Sequence, residues 1–181
     1  GCTMLTGTGR KYLRGPRGTG LLYVREDWIE RLQPPLLDQH AAELTSANTY
    51  EVRRDAKRFE NWEQPFAGKA ALGVAIDYAL SWGLDSIWER VQALAVTLRS
   101  QLRALEGVTV VDQGETQCGI VTFTVDSKSA KDIKASLRAR RINVSVSSGS
   151  GNLVSYDCRG LSETVRASVH YFNSEDEVER F

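Results

Sequence analysis

Ile87, Val91, Leu94, Leu98, Leu102 and Leu105 recur at steps of four, three, four, four and three, the spacing of one face of an α-helix. A strand would scatter these residues over both of its faces, because the steps mix odd and even. Asp85 or Ser86 is placed to cap this helix, with Glu89 completing a capping box to Ser86, and Gly107 is placed to end it. Upstream, residues 67–82 are rich in Ala and Leu and predict a largely buried helix that stops at Gly83. Trp82 and Trp88 flank the junction of the two helices and are expected in the core.

After Gly107 the apolar period shifts towards two. Residues 108–111, 119–125, 142–147 and 165–172 read as strands. A helix over about 130–140, with Ile133 and Leu137 on one face, separates the second strand from the third. A last helix opens at Ser174, whose capping-box partner is Glu177, and buries Val178 and Phe181. The pattern predicts an α+β domain, with helices packed on a small antiparallel or mixed sheet. The N-terminal part is less regular. Residues 1–20 hold six glycines and one proline, which is loop chemistry. A short strand follows at 21–24, then a long irregular connection over 34–65, of the kind that is usually functional or partly disordered.

Charge narrows the choice of partners. Lys plus Arg and Asp plus Glu both number 23, giving a formal net charge of zero. That balance argues against nucleic acid or an anionic membrane as the partner. No apolar run approaches the roughly 18 residues that span a bilayer. The three cysteines, Cys2, Cys118 and Cys158, form no CxxC pair, so a cytoplasmic setting is expected. His40 reads as a surface histidine in a loop. With only His40 and His170 in the chain, no metal site is expected and a Ser-His-Asp triad has little to draw on.

The stretch Thr8-Gly9-Arg10-Lys11-Tyr12-Leu13-Arg14-Gly15-Pro16-Arg17-Gly18-Thr19-Gly20 carries the most chemistry. A lysine in a polar, glycine-rich loop can present its amine to a carbonyl or phosphate ligand. Gly15, Gly18 and Gly20 would let backbone come close to that ligand, and Arg10 adds a second positive charge to attract phosphate. The Walker spacing is absent, and the Rossmann Gly-x-Gly-x-x-Gly spacing is reversed. On residues alone, a basic surface turn and a ligand-holding lysine both stand.

The same stretch resembles the segment of cysteine desulfurases and other class V aminotransferases that reads Ser-Gly-His-Lys, then Gly-Pro-x-Gly-x-Gly, then an apolar strand. The resemblance implies a pyridoxal 5'-phosphate (PLP) enzyme in which Lys11 forms the internal aldimine and Thr8 and Arg10 neighbour the cofactor phosphate. Residues 165–177 are similar to the family's Arg-Ala-Ser strand followed by Tyr-Asn-Thr-x-Glu-Glu. That likeness implies that Arg166 grips the α-carboxylate of an amino-acid substrate. Strand parity agrees, placing Arg166, Ser168 and His170 on one face and Val165, Ala167, Val169 and Tyr171 on the other. Residues 1–65 are then the end of a large PLP-binding domain and 66–181 a C-terminal small α+β domain of a homodimer.

Three departures shape the expectation. No Cys occupies residues 147–152, where desulfurases carry their catalytic thiol, which places the chain in a non-desulfurase branch. Trp62-Glu63 follows Arg58-Phe59-Glu60 where the family has a phosphate-binding Gly-Thr. The family segments that hold the PLP ring lie before the lysine, so this chain is expected to be part of a longer enzyme and inactive alone. The function implied is that of a PLP-dependent transferase or lyase acting on a small amino acid. The competing reading is a non-catalytic α+β interaction module with a phosphate-binding basic loop at Arg10, Lys11, Arg14 and Arg17.

Overall fold

The computed structural model describes residues 1–181 and divides into two compact units, Gly1–Trp82 and Gly83–Phe181. The second unit is organised by helix α3 (Leu84–Arg103). Five of the six stripe residues, Ile87, Val91, Leu94, Leu98 and Leu102, are buried, each contributing roughly 1.5–3 kcal/mol by leaving water. Leu105 lies past the helix and is exposed. The expected capping box at Ser86 and Glu89 does not form. Gly83, at φ 83°, is the N-cap and supplies no side chain; its left-handed backbone starts the helix before Ser86.

A four-stranded antiparallel sheet lies against α3, in the order β5 (Val108–Val110), β6 (Ile120–Val125), β8 (Glu163–Ser168), β7 (Ser145–Ser148). Val121, Phe123, Val165 and Ala167 form the face that is buried with Leu94, Leu98 and Leu102. Helix α4 (Ala130–Ala139) is capped by Ser129, which accepts from the Asp132 N–H. Helix α6 (Glu175–Arg180) has the expected Ser174–Glu177 capping box. Val178 is buried in the core and Phe181 sets its ring edge-on to Phe123, with centroids 6.1 Å apart. A short helix α5 (Leu153–Asp157) precedes β8.

Two strands are shifted from their expected places. β7 begins at Ser145, three residues later than expected, and β8 runs from Glu163 to Ser168 and stops short of His170. At that end the chain turns, with the Asn173 N–H donating to His170 O and the His170 N–H donating to Asn173 Oδ1. Local hydrogen bonding by Asn173 competes there with the sheet ladder, so Tyr171 and His170 leave the expected strand faces.

In the first unit, the loop expected over 1–20 contains β1 (Met4–Thr8), which pairs antiparallel with β2 (Gly20–Val24). Helix α1 (Glu26–Ile29) follows. The irregular stretch holds a hairpin of β3 (Ala42–Ser46) and β4 (Thr49–Val52) and a 3₁₀ turn over Ala56–Phe59. Helix α2 (Phe66–Trp82) forms as expected, but only Leu72 and Ala79 are buried in it. Val74, Tyr78, Leu80 and Trp82 are exposed, as is Trp88 on α3; apolar composition fixed the helix without providing a surface to cover it. The tryptophans are therefore not core residues.

Candidate functional site

Lys11 sits in the connection between β1 and β2, and hydrogen bonds close this connection into a compact turn. Gly9 N–H donates to Thr19 O at 2.9 Å, Gly15 N–H to Gly9 O at 2.8 Å and Arg14 N–H to Lys11 O at 3.0 Å. The Thr19 hydroxyl donates to Pro16 O at 2.7 Å. Arg14 and Gly18 adopt positive φ of 58° and 80°, and the Arg14 guanidinium lies over the Tyr78 ring, 5.2 Å from its centre.

Packing within the protein itself requires glycine at two of these positions. A Cβ at Gly15 would stand 2.9 Å from Leu72 Cδ1 and 3.1 Å from Gly9 O, and one at Gly20 would stand 2.5 Å from Gly7 O. At both positions the close neighbour is the protein itself. The turn is thus packed down on its glycines, with its cations outward: Arg10, Lys11 and Arg17 are exposed and take part in none of the chain's ion pairs. Thr8 is exposed beside them. An amine, a guanidinium and a hydroxyl, all uncommitted, are groups that could hold a phosphorylated carbonyl compound, the amine at the carbonyl and the other two at the phosphate.

Arg166 lies in the middle of β8, with Thr122 of β6 and Ser145 of β7 directly opposite. Ser168 follows on the same face, and Arg166 Nε donates to Ser168 Oγ at 3.3 Å. No carboxylate pairs with Arg166. This face of the sheet is built from hydroxyls. Thr164, opposite Ser147, is buried under α5, where its Oγ1 meets Tyr156 Oη at 2.8 Å. Thr122 N–H and Oγ1 both donate to Asp112 Oδ1, at 2.8 and 2.6 Å. Arg99 Nε donates to Asp112 Oδ2 at 2.7 Å, while its Nη2 reaches Cys118 O and Ile120 O at 2.7 and 2.9 Å. Sequence reading missed this buried network; the signal was Arg99, a charge immediately beside Leu98 of the apolar stripe.

The remaining candidates are placed as follows. His170 Nδ1 accepts from Tyr171 N–H at 3.1 Å and the ring stacks on Phe172 at 4.7 Å; the residue lies beyond the end of β8, the strand that holds Arg166 and Ser168. His40 is half-buried, with Nε2 3.4 Å from Glu60 Oε2 and its ring edge-on to Trp62. Trp62 N–H donates to Asp38 Oδ2 at 2.6 Å. This bond, with those from His40 and Ala41, holds the Asp38 carboxyl below its usual range despite some desolvation. Cys2, Cys118 and Cys158 are all free and exposed. No helix is long and apolar enough to cross a membrane.

The aminotransferase class-V family model matches residues 1–181. A probable cysteine desulfurase of Xylella fastidiosa is 29% identical over 100% of this chain and 43% of its own length. One from Pyrococcus abyssi is 28% identical over 96% of the chain and 43% of its own length. The apo structure of a cysteine desulfurase from Thermococcus onnurineus matches with a TM-score of 0.88 and 30% identity, over 99% of this chain and 45% of that one. A cystine C-S lyase bound to cysteine persulfide shares the fold, with a TM-score of 0.77 at 24% identity, over 96% of this chain and 43% of that one. The chain therefore spans less than half the length of the relatives it matches. Those relatives include named cysteine desulfurases, so the expected separation from the desulfurases finds no support in them.

Proposed function

Because this chain belongs to the class-V aminotransferase family, we propose that it carries the cofactor lysine, Lys11, and the substrate-carboxylate arginine, Arg166, of a PLP-dependent transferase or lyase. The observation that carries this reading is the Lys11 turn, which is fixed by backbone hydrogen bonds and still leaves its amine uncommitted. In this reading residues 1–65 end a large cofactor-binding domain, and 66–181 form a small domain. The substrate is a small amino acid and the working unit is a cytoplasmic homodimer. The exposed apolar side chains Leu21, Leu22, Trp62 and Phe66 support burial against further protein.

Each residue has a role its surroundings allow. Lys11 Nζ would hold the cofactor and move a proton to or from the substrate Cα. Thr8 Oγ1 and Arg10 donate to the phosphate. PLP supplies an electron sink when bound. Arg166 binds the α-carboxylate bidentately, helped by the lack of any competing carboxylate partner.

The test is an amino-acid titration of the intact protein, followed by the cofactor absorbance, comparing wild type with Arg166→Lys. Lysine keeps the charge and loses the planar fork, so affinity for the amino acid should fall about tenfold or more while cofactor absorbance survives. An unchanged affinity would remove Arg166 from the substrate site.

A further inference from the structure

A guanidinium offers a carboxylate two bidentate edges, Nε with one Nη or the two Nη together. In Arg166 the Nε–H is already engaged, by Ser168 Oγ two residues along the same strand. Only the Nη1/Nη2 edge keeps both donors uncommitted. We propose that Ser168 is a positioning residue for substrate binding: it holds the guanidinium so that the α-carboxylate docks end-on at Nη1 and Nη2. This rests on the reading of Arg166 as the carboxylate clamp.

The surroundings favour this role. An arginine without an anchor rotates about several bonds, and each rotamer it must give up on binding weakens affinity. Arg166 has no carboxylate to fix it, so Ser168 is its fixed contact. Thr122, directly opposite on β6, gives its hydroxyl proton to Asp112. Asp112 is in turn neutralised by the buried Arg99. The acid tied into this row is therefore satisfied by another cation and leaves Arg166 to an incoming anion.

The experiment measures KM, kcat and cofactor absorbance in the intact protein for Ser168→Ala and Ser168→Thr, each alone and combined with Arg166→Lys. Ser168→Ala should raise KM for the amino acid about fivefold, the effect of one lost hydrogen bond. Turnover and absorbance should stay unchanged, and Ser168→Thr, which keeps the hydroxyl, should restore KM. In the Arg166→Lys background Ser168→Ala should add nothing, because lysine has no Nε–H to hold; a merely structural serine would give additive losses. Wild-type KM in Ser168→Ala beside a raised KM in Arg166→Lys would overturn the role of Ser168 alone. Additive losses, or failure of Ser168→Thr to restore KM, would do the same. Wild-type KM in Arg166→Lys would overturn the clamp itself.

Discussion

Leu72 of α2 lies directly under Gly9: a Cβ built at Gly9 would stand 2.8 Å from Leu72 Cδ1 and 2.5 Å from the Thr19 hydroxyl oxygen. The Lys11 turn therefore rests on α2 at a point with no room for a methyl group. Gly9→Ala should destabilise the first unit by about 1–3 kcal/mol, the usual cost of overpacking. A denaturant midpoint matching wild type would show that the contact gives way freely.

Two buried arginines should respond in opposite ways to the same change. Arg99 is fully satisfied by Asp112 and two carbonyls, whereas Arg58 is buried with an Nε that has no hydrogen-bond partner. Arg99→Met strands a buried carboxylate and should cost about 3–5 kcal/mol. Arg58→Met removes an unmet donor and should leave the 1–181 chain as stable or more so, by up to about 1–3 kcal/mol. Denaturant unfolding of both variants checks the contrast; a large loss at Arg58 would contradict it.

The α6 helix should loosen in acid. Arg90 grips both carboxylate oxygens of Glu175, and its Nη2 also reaches Asn173 O at 2.8 Å. The guanidinium, with the Glu175 backbone N–H, lowers the carboxyl from 4.5 to about 2. A depressed pKa means that the contribution is complete above 4.5 and is lost as pH falls from there through about 2. Amide exchange in 175–180 should therefore accelerate across that window in wild type and do so less steeply in Glu175→Gln, where the Ser174–Glu177 capping box still titrates. Identical profiles would contradict the tether.

The second unit was largely legible in the sequence because its elements are amphipathic. The stripe through Leu94 and Leu98 and the capping box at Ser174 each follow from local spacing alone. The first unit showed β2, expected at 21–24, and hid its other strands. In β1 the apolar residues Met4 and Leu5 are adjacent, so no alternation marks a buried face, and both are exposed. The β3–β4 hairpin is mostly polar and turns at Ala47-Asn48, without the Asn-Gly or Asp-Gly pair that signals such turns. At the candidate site, resemblance to the family's two motifs singled out Lys11 and Arg166; the glycine-rich loop and strand parity were compatible with those roles without assigning them. The contribution of Asp112 was invisible, because it depends on Arg99 and Thr122 meeting it from different elements.

The central claim is that Lys11 carries the cofactor, and borohydride reduction of the intact protein with bound PLP tests it most directly. Reduction fixes the cofactor to whichever amine holds it, and peptide mass spectrometry reads the position. The account predicts one pyridoxyl group on Lys11, and in Lys11→Ala the loss of the label, of cofactor absorbance and of activity together. A stoichiometric label on any other lysine, or an absorbance band that survives in Lys11→Ala, would contradict it.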